Sequence, residues 1–225
     1  MRSRVAVLGL GYVGAVTSAC LARGGHHVVG VDSDERKVAL VSAGRSPILE
    51  PGLDALLREG RASGCLRATT DLVDALDSAD VTIVCVGTPS TGNGGIDLTF
   101  VRRVSEQIGA WMRSRQPEFH AVLFRSTLLP GTIEDELIPM LERASGRKVD
   151  VDFGVGACPE FLRESSAVAD FFEPPYTLLG TRESRSARAF RDLFAFLDRP
   201  AHEVTIATAE TVKYAANAFH AAKIT

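Results

Sequence analysis

Apolar runs of four to six residues alternate along this chain with longer stretches in which apolar positions recur at helical spacing. Residues 5–8, 27–31, 81–86, 121–124 and 153–157 carry almost no charge and have the length of strands buried on both faces of a parallel sheet. Residues 66–70, 176–179 and 204–206 read as further strands. The intervening pattern predicts a helix ending at Arg23, helices over 34–43, 53–60, 98–114 and 184–197, one that follows Asp71 as its N-cap, one that ends at Gly146, and a last one over 208–225. Gly24-Gly25, Pro47 and Pro51, the polar loop TGNGGID at 91–97, and Pro130-Gly131 fall between these segments, as turn residues should.

The first strand–helix–strand unit carries chemistry. Gly9, Gly11 and Gly14 form G-x-G-x-x-G directly after the first strand. The first glycine permits the tight turn, the second admits a pyrophosphate to the backbone, and the third lets the helix pack on the sheet. Asp32 ends the second strand about 20 residues further on, where a carboxylate can accept the ribose hydroxyls of an adenosine. The unit predicts dinucleotide binding, and an acid at this position favours NAD over NADP, whose 2′-phosphate it would repel. Arg36 and Lys37 read either as a solvated first helical turn or as a cofactor contact. With this unit at its head, the alternation predicts a doubly wound α/β fold: a mostly parallel Rossmann-type sheet over residues 1–206, followed at 207–225 by the start of a long helix with neither a glycine cap nor a proline stop.

Composition narrows the field. The 225 residues are 45% hydrophobic and 24% charged, as in an ordinary globular protein, and the net charge of -3 offers no footprint for nucleic acid or an anionic membrane. Cys20, Cys65, Cys85 and Cys158 show no metal-ligand spacing and read as reduced thiols of a cytoplasmic protein. No apolar run reaches the length of a membrane helix, and Arg2 and Arg4 ahead of the first strand imitate a signal peptide without a cleavage site.

Ligands of a doubly wound sheet lie outside the carboxyl ends of its strands, so Gly87 to Ser90 should face the cofactor. Arg125-Ser126-Thr127 ends the next strand, and CPEFLRES at 158–165, the densest ionisable group in the chain, ends the one after. Within it, Glu160 and Glu164 read equally as surface acids spaced i, i+4 beside Arg163 or as site carboxylates. Lys213, Asn217 and His220 share one helical face at about 100° per residue, either a solvated face or one wall of a site.

Six stretches together, GLGYVG at 9–14, SPILEPGL at 46–53, VGTPS at 86–90, RSTLLPGT at 125–132, PEFLRES at 159–165 and ETVKYAANAFHAAK at 210–223, resemble the sugar-nucleotide 6-dehydrogenases. These are UDP-glucose and GDP-mannose dehydrogenases, NAD-dependent enzymes that oxidise a sugar C6 alcohol to a carboxylate in two steps. PEFLRES and FHAAK are more similar to the GDP-mannose branch. The resemblance implies NAD contacts at Tyr12, Val13, Asp32, Lys37, Thr88 and Thr127 beside the glycines, with Thr127 also near the catalytic water. It implies that Glu160 and Glu164 flank the reacting carbon, one of them activating water, that Lys213 and Asn217 hold its oxygen, and that Glu164 and His220 contact substrate. It further implies a nucleotide-sugar substrate, GDP-mannose or UDP-glucose, and a homodimer.

Two departures qualify these expectations. The family's nucleophilic cysteine, its helical middle segment and its second α/β domain follow the lysine helix, and none occurs by Thr225, so the chain as it stands is expected to lack complete activity. Cys158 also stands where the family has asparagine, a stronger hydrogen-bond partner. Three functions are compatible: the cofactor portion of a nucleotide-sugar dehydrogenase, another NAD enzyme such as a 3-hydroxyacid dehydrogenase, which would leave PEFLRES and SPILEPGL unexplained, or a non-catalytic NAD-binding module.

Overall fold

The computed structural model describes residues 2–92, 94–116 and 118–224; Asn93 of the expected 91–97 loop and Thr225 of the expected last helix lie outside the described residues. Strands β1 (Arg4–Leu8), β2 (His27–Val31), β3 (Leu66–Thr69), β4 (Val81–Val84), β5 (His120–Phe124), β6 (Phe153–Ala157), β7 (Thr177–Thr181) and β8 (Ala201–Val204) form one sheet in the order β3-β2-β1-β4-β5-β6-β7-β8. The first six run parallel, the doubly wound order expected from the alternation. The order reverses between β1 and β4, which creates a crevice at their carboxyl ends.

The strand runs are apolar because both faces are covered. Val5 and Val7 join a core with helices α1 (Tyr12–Arg23), α3 (Leu53–Ala62), α7 (Ala167–Phe172) and α8 (Ser184–Phe194). Ala6 and Leu8 point the other way, into a core with α5 (Thr99–Arg113), α6 (Ile138–Ser145) and the first turns of α9 (Ile206–Ile224). Helices α2 (Glu35–Ser42) and α4 (Leu72–Asp77) start where Asp34 and Asp71 accept backbone N–H groups as N-caps.

Several boundaries differ from expectation for identifiable reasons. The fourth strand ends at Val84 rather than at residue 86, because the chain there turns away toward the crevice and Ser126 Oγ donates to the Val86 carbonyl at 2.6 Å. The last strand ends at Val204, not at residue 206. Thr205 accepts the Thr208 N–H at 3.1 Å and caps α9, so Ile206 already opens the helix expected from 208. Between Pro130-Gly131 and α6 the chain makes a π-helical turn, Ile133–Leu137, upstream of Pro139, which has no N–H to return to Asp135.

Helix α7 and the direction of β7 were not foreseen. Strand β7 runs antiparallel to β6, so the chain between them begins and ends at the carboxyl edge of the sheet. All of CPEFLRES is thereby kept on the crevice side. Helix α9 packs on β6 and β7, with Ile206 and Ala209 against Gly180, and from Asn217 to Lys223 its residues are exposed. Among the described residues no helix is long and apolar enough to cross a membrane.

His120 opens β5 inside the sheet, its Nε2 2.7 Å from Thr82 Oγ1 and its ring edge-on to Trp111. Burial pushes the imidazole down to about 4. A base whose folded pKa lies below its unfolded one, about 6.5, protonates more readily in the unfolded chain, so its full stability is present above that pH and is lost as pH falls from about 6.5 toward about 4. Urea titrations should show wild type losing about 2–3 kcal/mol more over this window than a Thr82→Val/His120→Leu variant. Equal losses would mean that His120 is not held neutral.

Candidate functional site

The crevice is built on the turn out of β1. Gly9 takes φ 97°, and a Cβ there would lie 2.9 Å from the Cys85 carbonyl oxygen, while a Cβ on Gly14 would lie 1.7 Å from the Gly9 oxygen. Backbone therefore packs on backbone, and only glycine fits at either position. At Gly11 the corresponding space is open to 4 Å, above the amino end of α1 where N–H groups lack helical partners. Gly87, after β4, faces open space as well. These openings and the helix end fit a pyrophosphate.

Asp32 is tied to this turn. Its carboxylate accepts the Leu10 N–H at 2.7 Å, the Asp34 N–H at 2.9 Å and Lys37 Nζ at 3.2 Å. Burial pushes the carboxyl up, but the two backbone donors and the Lys37 ammonium together hold it below the ordinary aspartate value. Asp32 is therefore an anion with directed lone pairs beside the glycine turn. Of the two cations left open by the sequence, Lys37 pairs with Asp32, and Arg36 is exposed. Tyr12 and Val13 begin α1 at the rim of the turn, half-buried.

Further along the sheet edge, Thr88 Oγ1 donates to the Thr127 carbonyl at 2.9 Å, locking the loops after β4 and β5 together. The loop after β6 carries Glu160, whose Oε1 accepts Lys213 Nζ at 2.8 Å and whose Oε2 accepts the Leu162 N–H at 2.6 Å. Both side chains of this pair are about nine-tenths buried. Glu160 borders a cavity of about 420 Å³, lined also by Phe161, Arg125, Ala216 and His220. A carboxylate and an ammonium sharing a dry position can respectively take up a proton and stabilise a developing oxyanion.

The expected site residues thus fall into three groups. Gly9, Gly11, Tyr12, Val13, Gly14, Asp32 and Lys37 surround the turn, Thr88 and Thr127 are hydrogen-bonded to one another, and Glu160, paired with Lys213, lines the cavity together with His220. Asn217 and Glu164 are exposed. Asn217 shares the face of Lys213 but lies where α9 leaves the sheet, and Glu164 sits in a non-helical loop, so it is not part of an i, i+4 helical pair. Its charge nonetheless reaches the Tyr12 phenol.

Three residues in these elements were missed. Glu50, buried in the SPILEPGL loop, accepts Tyr12 Oη at 2.6 Å and the backbone N–H groups of Ser165, which ends CPEFLRES, and Ala167 just beyond it. Glu210, one turn before Lys213, accepts the N–H groups of Gly131 at 2.7 Å and Ile133 at 3.0 Å, fixing α9 to the loop that carries Thr127. Arg125 is buried with its guanidinium over the Phe171 and Phe194 rings and its Nη1 3.2 Å from Cys158 Sγ. An acid among apolar loop residues and a cation closing an apolar strand were the available signals. Burial pushes the Cys85 thiol up to about 12 and raises Cys20 and Cys158 despite Arg125 nearby, so none of these three is an activated nucleophile.

Residues 3–198 match the family model described as UDP-glucose/GDP-mannose dehydrogenase family, NAD binding domain. The GDP-mannose 6-dehydrogenase of Pseudomonas aeruginosa is 46% identical over 222 residues, covering 99% of this chain and 51% of that protein. The solved ternary complex of GDP-mannose dehydrogenase from the same organism superposes with a TM-score of 0.96 at 46% identity, over 98% of this chain and 50% of that one. A UDP-glucose dehydrogenase from Pyrobaculum islandicum superposes with a TM-score of 0.92 at 36% identity, over 97% of this chain and 50% of that one. The chain spans about half the length of the curated relatives it matches.

Removing one member of the buried pair leaves the other uncompensated. Lys213→Met should cost about 3–5 kcal/mol in urea titrations, and Glu160→Gln in the same molecule should recover a large part of it. A loss below about 1 kcal/mol in the single variant would place the pair in solvent instead.

Proposed function

Because the chain belongs to the UDP-glucose/GDP-mannose dehydrogenase family, we propose that it acts as the NAD-binding portion of a nucleotide-sugar 6-dehydrogenase that oxidises the sugar C6 alcohol to a carboxylate. The observation that carries this reading is the buried Glu160–Lys213 pair, set on the same sheet edge as the glycine turn and Asp32. NAD, when bound, supplies the hydride acceptor. The N–H groups at the start of α1 hold its pyrophosphate, and Asp32 accepts the adenosine ribose hydroxyls. Lys213, with Asn217 from the next turn, stabilises the oxyanion on C6, and Glu160 takes up the proton released. Thr127 would orient the water that hydrolyses the acid-level thioester once a second hydride has passed to a second NAD, while Glu164 and His220 hold substrate.

GDP-mannose is the preferred substrate, supported by the higher identity of the Pseudomonas relative; UDP-glucose is the alternative that the Pyrobaculum relative represents. Residues 1–206 form the cofactor domain and 207–225 the start of a connecting helix. Its exposed second half, with Phe219 uncovered, suits a homodimer contact, and four unpaired cysteines suit the cytoplasm.

Calorimetric titration tests the cofactor assignment. NAD should bind at least about tenfold more tightly than NADP, and Asp32→Ala should remove most of that preference. Equal affinities in the unmutated chain would overturn it.

The covalent step to the acid needs an activated thiol, which the buried Cys20, Cys85 and Cys158 do not supply, and Cys65 precedes β3 at the amino edge of the sheet, away from the crevice. The chain alone should therefore not reach two NADH per GDP-mannose or UDP-glucose consumed, since only the hydride transfer that gives the aldehyde proceeds without the thiol. Sustained NADH absorbance at two per sugar consumed would show that a thiol in this chain completes the reaction.

A further inference from the structure

Glu50 lies in a loop that carries none of the expected site residues, yet it joins two segments that do. Its Oε2 accepts the Tyr12 hydroxyl at 2.6 Å and the Ser165 N–H at 3.0 Å, and its Oε1 accepts the Ala167 N–H at 2.9 Å. The Tyr12 hydroxyl is also 3.0 Å from the Arg163 carbonyl. Tyr12 is the first residue of α1, directly after Gly11, and 163–167 closes the loop that carries Glu160 and Glu164. Ser165 takes φ 70°, a left-handed conformation that costs a residue with a Cβ, so this loop end needs support from outside itself. A buried carboxylate that receives three donors from two distant segments supplies it.

We infer that Glu50 is a positioning residue, a strut through which occupation of the glycine turn stiffens the loop bearing Glu160 and Glu164. The inference rests on the proposed cofactor reading and adds a coupling to it. A phosphate held at the start of α1 fixes the backbone of Tyr12; the ring carries that constraint to Glu50, and Glu50 passes it to the N–H groups of Ser165 and Ala167. The coupling needs no movement of the sheet. It lowers the frequency with which the 158–167 loop opens, and by reciprocity a ligand that orders the loop must tighten binding at the turn. The Tyr12 phenol, raised by burial and by the hydrogen bond to Glu50, stays a protonated donor at and well above neutral pH.

Hydrogen–deuterium exchange of the chain with and without saturating NAD reads this directly. In the unmutated protein NAD should slow exchange in peptides covering both 9–14 and 161–168, the latter by about fivefold or more. Glu50→Leu keeps much of the bulk and removes all three acceptor contacts, to Tyr12, Ser165 and Ala167. NAD should still protect 9–14 in this variant, while the response of 161–168 falls to about twofold or less. Tyr12→Phe, which removes only the hydroxyl, should lose the response of 161–168 in the same way at saturating NAD. A full response of 161–168 in both variants, or its absence in the unmutated chain alongside protection of 9–14, would overturn the strut. Protection of neither segment by NAD would instead sink the cofactor reading, and the strut with it.

Discussion

The turn at Gly9 is the constraint on which the carboxyl edge of the sheet depends. The Gly9 backbone presses on the Cys85 carbonyl, and Gly14 in turn packs on the Gly9 carbonyl, so β1, the start of α1 and the exit from β4 are held in contact without an intervening side chain. One added carbon at either glycine would push α1 off the sheet or part β4 from β1. Contact at this level also sets where charge is felt. It brings the amino end of α1 to the crevice, and it places the Leu10 N–H where Asp32, one strand away, can accept it.

Around this fixed turn the loops have little regular structure of their own, and three carboxylates hold them. Glu50 joins α1 to residues more than a hundred positions away, Glu160 joins the β6 loop to α9, and Glu210 joins α9 to the loop after β5. Burial of each is costly, and each is met by at least two donors, as a buried anion requires. Glu210 shows the residual tension: its carboxyl is raised by burial even with two backbone N–H groups on it, and Glu134 and Asp135 add to the rise. Such ties give loops a defined shape where apolar contacts alone would leave several arrangements of similar energy.

The parallel half of the fold was legible because its signals are local. The apolar runs, the G-x-G-x-x-G spacing and the caps at Asp34 and Asp71 all act within a few residues, and they gave the strands through β6 nearly to their boundaries. The site was legible in part: Asp32 follows from the motif, whereas the roles of Glu160 and Lys213 came through resemblance and not through spacing. What escaped depends on partners far along the chain. The six-residue helix α7 has too short a pattern to announce itself, and its first N–H is held by Glu50 across 117 positions. The antiparallel turn of β7 leaves no mark on its own sequence, since a buried strand reads the same in either direction. Asn217 and His220 were placed on one face with Lys213, and helical geometry supports that, but the point at which α9 leaves the sheet decides which of them is covered.

A buried ion pair is weak evidence for stability, because the cost of removing two charges from water rivals their attraction, and two apolar side chains of similar volume would fill the space as well. The sequence nevertheless spends a lysine and a glutamate at the junction of α9 with the β6 loop, both about nine-tenths buried, with Glu160 bordering a cavity. An apolar pair could hold that junction, yet it could not offer a cation to a developing oxyanion or a base to a departing proton in the same dry place. Nor does the pair lack constraint: Glu160 is braced by the Leu162 N–H, and Lys213 stands over the Phe161 ring one turn beyond Glu210, which anchors the helix to the next loop. Groups whose charge the fold does not need, held on two sides beside the crevice, are what the proposed reaction draws on, and the supports around them account for why the helix packs on the sheet before it departs from it.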